Sequence, residues 1–96
     1  MMQAIAASGL DILLTSVDND RVILEGIENG AVLGSACYNA IEGSRLALMQ
    51  MVNLLNGEEV PGIVYQTNTM VTKDNVAQMF EEYYNGATLA DFMAGN

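Results

Sequence analysis

The feature that most constrains this chain is an alternation. Short runs of apolar and β-branched residues take turns with stretches whose apolar residues recur at helical spacing. "LDILLTS", from Leu10 to Ser16, is too short and too apolar for a surface helix, and it reads as a strand buried on both faces. "AVLGSACY", from Ala31 to Tyr38, reads as a second strand. A third run, Gly62 to Thr72, follows the chain's only proline, Pro61. Helical stretches lie around them at residues 1–8, 21–29, 40–56 and 75–85, and "TLADFMAGN" forms a last short one. The order α-β-α-β-α-β-α predicts an α/β fold with a parallel sheet flanked by helices. Three strands leave both sheet edges unpaired, which invites association.

Local signals fix the element ends. Asp20 suits an N-cap and Gly30 the position just past a helix, with Val22, Ile23, Leu24 and Ile27 facing inward between them. Gly26 weakens that helix by up to ~1 kcal/mol, so packing must hold it. Gly34 and Ser35 allow a neighbouring backbone to come close. Asn39 caps the longest helix, Gly57 stops it and Pro61 bars its continuation. Ile41, Leu48, Met49, Val52 and Leu55 form its apolar stripe, with Glu42, Arg45, Gln50 and Asn53 outside it. The next helix has Val76, Met79, Phe80 and Tyr83 as its stripe and Asp74 or Thr72 as its cap. The polar "QTNT" in the third run suits a strand that leaves one core before joining another.

Composition narrows the function classes. Twelve acidic residues against three basic ones give a net charge of −9 in 96 residues. Phosphate backbones need a Lys/Arg surface, so no nucleic-acid partner is expected. The carboxylates are scattered without calcium-loop spacing, so the acidity reads as a solvated surface. There is no histidine and one cysteine, Cys37, which argues against zinc, histidine-based catalysis and an internal disulfide. Cys37 reads as a small buried hydrophobe. Glu58-Glu59 lies just past a helix end and reads as solvated, and no phosphate-binding glycine loop is present. The expectation is a non-enzyme without cofactor or metal.

No segment has 18 consecutive apolar residues, so no membrane helix is expected. "MMQAIAASG" lacks the basic region of a secretory signal. It reads as the second half of a helix, with Met1, Met2, Ile5 and Ala6 at helical spacing, so the natural chain is expected to start earlier.

Ligands of open α/β sheets collect beyond the carboxyl ends of the strands. "SVDND", Ser16 to Asp20, lies there after the first strand. An aspartate so placed accepts two hydrogen bonds from neighbouring hydroxyls, as polyol recognition requires. The plainer reading is a helix cap or an Asx turn, and it fits Asp20 better than Asp18. At the end of the second strand, Tyr38 can stack on an apolar ligand face and Asn39 can hydrogen-bond it. Their plainer roles are core edge and cap.

These landmarks line up with a known family. "SVDND" resembles the G-x-D-G element of type I periplasmic sugar-binding proteins, the ribose/galactose/autoinducer-2 group. "GSACYNAIEGSRLALMQMVNLLNGEEVP" resembles the strand, hinge and long helix that follow it, and "VYQTNTMVTKDNV" resembles the family's "TPxxLVTKDNV" segment. "LLNGEEVPG" with "MVTKDNV" is the specific part. The resemblance implies the C-terminal part of a two-lobed protein that closes on a sugar or similar small polar ligand and delivers it to an ABC permease. It also implies a periplasmic or extracellular location, with a lipoprotein anchor as one form of membrane association. Residues 1–38 would belong to the C-terminal lobe, 39–66 to a hinge crossing and a helix of the N-terminal lobe, and 67–96 to the last crossing and the C-terminal helices. Asp18 falls on the family's sugar-binding aspartate, and Tyr38 on a position where ribose binders place Gln before Asn-Pro. Asn19 and Asn39 are the neighbouring ligand-binding candidates. Ser16 and Asn19 replace the two glycines of G-x-D-G, and "CYNA" replaces "AQNP"; these departures leave the identity of the ligand open, and Tyr38 suggests stacking in place of a bidentate amide contact. The alternative is the effector-binding core of a LacI-type transcriptional repressor, which shares the fold but ends differently. Without the rest of the protein, such a piece is expected to form a homo-oligomer or to swap elements.

Overall fold

The computed structural model describes residues 1–95. In order they form α1 (Met2–Ser8), β1 (Thr15–Val17), α2 (Arg21–Asn29), β2 (Gly34–Cys37), α3 (Ala40–Leu55), β3 (Thr69–Val71), α4 (Val76–Tyr83) and α5 (Leu89–Met93). The result is mixed α/β, as the alternation predicts. The sheet has the order β1-β2-β3.

The caps form where local chemistry puts them. The Asp20 carboxylate accepts from the Val22 amide at 3.1 Å, and Gly30 closes α2 at φ 83°, a conformation that costs glycine no Cβ clash. Asn39 Oδ1 accepts from the amides of Ile41 and Glu42, and Thr88 caps α5 through the Asp91 amide. Gly34 is needed for space: a Cβ there would lie 3.0 Å from the Val71 carbonyl oxygen of the neighbouring strand. At α4 the cap is Asn75, not Asp74 or Thr72. Its side chain turns backward, accepting from the Thr72 amide at 2.8 Å and donating to the Met70 carbonyl at 3.2 Å. It therefore ties the end of β3 to the start of α4 and satisfies no amide of the helix itself.

The core lies on one side of the sheet. Leu24 and Ile27 of α2, Val32, Cys37, Val71, Val76, Met79, Phe80 and Leu89 form one buried cluster. Phe80 is its largest member, and its ring stacks on Tyr84 with centroids 4.6 Å apart. Val22 does not join; it sits on the opposite side of the first turn of α2 and is exposed.

Three expectations are corrected. First, the sheet is not parallel throughout. β1 and β2 are parallel, but β3 runs antiparallel to β2, with Ser35 opposite Val71 and Cys37 opposite Thr69. The chain leaves β2 at Tyr38 and returns to the same spot, where the Gln66 side chain donates to the Asn39 carbonyl. Entering where β2 exits, β3 must run the other way. Second, Leu10 to Leu14 is not a doubly buried strand. Leu10, Ile12 and Leu13 are exposed, and Leu33 N–H to the Leu14 carbonyl at 2.7 Å is where the pairing to β2 begins. The far face of the sheet, with Val17 and Met70, is likewise bare. Third, α3 buries none of its predicted stripe. Ile41, Leu48, Met49, Val52 and Leu55 are all exposed, whereas Gly43, Leu46, Gln50 and Asn53 are partly covered. The covered side faces the returning segment at Val64 and Gln66. α3 and residues 56–65 thus project from the body, which gives the molecule extents of 59 × 28 × 20 Å.

Candidate functional site

The loop after β1 is built by the strand beside it. Ser35 and Cys37 lie two residues apart on β2 and so share a face. Both side chains converge on one atom, the Asp18 carbonyl oxygen, with Ser35 Oγ–H donating at 2.6 Å and Cys37 Sγ–H at 3.1 Å. The Asp18 amide donates to the Ala36 carbonyl at 2.9 Å. The next carbonyl, Asn19, accepts from the Tyr84 hydroxyl at 2.7 Å. Asn19 Nδ2 in turn donates to the Tyr38 carbonyl at 3.0 Å, joining the ends of β1 and β2.

This bracing holds Asp18 at φ 87°, a left-handed conformation that non-glycine residues seldom adopt. Its backbone is fixed by three hydrogen bonds, while its carboxylate points outward with no partner among the described residues. Tyr38, at the end of the adjacent strand, exposes 43% of its surface. Of the four residues expected to bind, Asp18 and Tyr38 therefore keep their side chains unengaged, at the ends of neighbouring strands. Asn19 and Asn39 are engaged in holding the backbone, Asn19 as the bridge just described and Asn39 as the cap of α3. The Asn39 Nδ2 group also reaches Glu82 at 3.4 Å.

Sequence reasoning missed Ser35, Cys37 and Tyr84 as the supports of this loop. A serine in an apolar strand, two residues before a lone cysteine, was the available signal for two of them. Nothing local connects Tyr84 to Asn19. Burial pushes the Cys37 thiol above its ordinary value of 9.0, with the Asp18 charge adding to the rise and the Ser35 hydroxyl opposing it. A thiol kept protonated is a donor, consistent with its bond to the Asp18 carbonyl, and is a poor nucleophile. Burial likewise raises Tyr84, opposed by Arg21, whose guanidinium lies 4.6 Å from the ring centroid.

A cavity of about 340 Å³ lies at the neck where α3 leaves the body. Asn39, Glu42, Gln66, Thr69, Glu82 and Tyr83 line it. No group of three or more metal-ligating side chains occurs among the described residues. No helix among them is long and apolar enough to cross a membrane.

The chain matches no protein-family model and no curated protein.

Proposed function

We propose that this chain is the C-terminal part of a type I solute-binding protein that captures a sugar or similar small polar ligand between two lobes and passes it to an ABC importer. The observation that carries the reading is Asp18. Its backbone is braced in a strained conformation at the carboxyl end of β1, its carboxylate has no partner among the described residues, and the exposed Tyr38 ends the adjacent strand. A free carboxylate on a fixed backbone can accept hydrogen bonds from two hydroxyls, and an exposed tyrosine ring offers a face to the apolar side of a sugar. The motif resemblance at "SVDND" supports the same assignment. So does the projecting α3, which corresponds to a crossing into a second lobe. That lobe would also supply the opposite wall of the site.

The test is a thermal shift of this chain, and of a longer polypeptide containing it, against aldopentoses and aldohexoses. A stabilising sugar is expected with the two-lobed polypeptide, and Asp18→Ala should abolish its effect. Absence of any response, or a response that Asp18→Ala leaves intact, would remove the reading.

A further inference from the structure

The bare side of α3 has a composition that suits one partner, a second copy of itself. The chain exposes 6812 Å². A compact protein of its 10.3 kDa mass would expose about 5,400 Å². The excess is larger than the ~800 Å² that each partner contributes to a stable interface. Much of it is apolar and on one helix: Leu48, Met51, Val52 and Leu55 follow a three–four spacing along the side turned away from the body.

The charges on and after α3 decide which partner. Between Leu46 and Gly57 there is no charged residue, although the chain as a whole carries −9. Two strongly acidic molecules can meet here without opposing like charges. The seam is also complementary to its own reverse. In an antiparallel pair crossing between Met51 and Val52, Leu48 lies opposite Leu55 and Met51 opposite Val52. Arg45 then lies near the partner's helix end, where the acidic Glu58 and Glu59 follow the turn at Gly57. This is the reciprocal arrangement that a two-fold interface requires. Arg45, already paired with Glu42 at 2.6 Å, would gain a second carboxylate from the partner.

We infer that the 96-residue chain forms a two-fold dimer through antiparallel pairing of α3. In a longer polypeptide of the kind proposed above, the first lobe would take this face first, because an intramolecular contact competes at high effective concentration. The dimer does not depend on the ligand reading, and its failure leaves that reading standing.

Sedimentation of the 96-residue chain at micromolar concentration should give twice the 10.3 kDa mass. Leu48→Glu should raise the dissociation constant about a hundredfold or more, since it buries an unpaired charge in the seam. Leu48 is 61% exposed in one chain, so that substitution leaves the body folded. Arg45→Glu should weaken the dimer, and adding Glu58→Arg should restore it. Orientation is read by a short bifunctional maleimide, to which the buried Cys37 does not contribute. Met51→Cys should cross-link to itself across the two-fold axis, and Leu55→Cys should not. A monomer under these conditions, a dimer indifferent to Leu48→Glu, or self-linking through Leu55→Cys would each overturn the inference.

Discussion

The Tyr84 hydroxyl meets a carbonyl 65 residues earlier in the chain, and that one bond ties α4 to the loop that presents Asp18. Tyr84→Phe keeps the stack on Phe80 but leaves the Asn19 carbonyl without that donor. It should lower stability by about 1 kcal/mol, read as a shifted urea midpoint with an unchanged m-value. The same neighbourhood sets a response to alkali. Cys37, Tyr83 and Tyr84 are all raised by burial above ordinary values of 9.0 for the thiol and 10.0 for the phenols. The folded state therefore holds protons that the unfolded state has released. The stability these groups contribute is complete below pH 9 and is lost as the pH rises through the folded values. A melting temperature that is level through neutral pH and falls above pH 9 is expected. One that rises there would contradict the burial of all three.

At the scale of elements, α4 organises the body more than the sheet does. Val76, Met79 and Phe80 are buried along one face, and Phe80 touches two aromatic neighbours, Tyr84 and Phe92. Phe80→Ala should cost about 3–5 kcal/mol. Small domains have only ~5–15 kcal/mol in total, so loss of cooperative unfolding by circular dichroism is the expected result. That helix was legible in the sequence because its stripe is periodic and its partners are all present. Asp20, Gly30, Asn39 and Gly34 were legible for a different reason: caps and close approaches are decided within a few residues. The stripe of α3 was equally periodic, yet it lies bare. Periodicity shows which residues would be buried, not whether a partner exists. The antiparallel entry of β3 was hidden too, since it depends on where the chain comes back after α3. At the candidate site, Asp18 and Tyr38 were readable as strand-end residues. The supports behind the loop were not, because they come from residues as far apart as Ser35, Cys37 and Tyr84.

For the whole molecule, the radius of gyration is 17.2 Å. A compact domain of this length would have ~12.5 Å. The difference comes from α3 and its return segment, where no residue of the helix is buried. At concentrations where the chain is monomeric, the amides of α3 should exchange with deuterium well before those of α2 and α4. Equal protection would mean that α3 is covered. Topologically, β2 and β3 are a β-hairpin, and residues 38–68 are its loop. Doubling the length of a loop costs only ~0.6 kcal/mol of closure entropy. The ends of this one are already pinned together at Asn39 and Gln66. The projection can therefore lengthen, shorten or be exchanged for another module while the register of Ser35 with Val71 stays as it is. The neck is thus a natural graft point, at which the packed body and whatever projects from it can change independently.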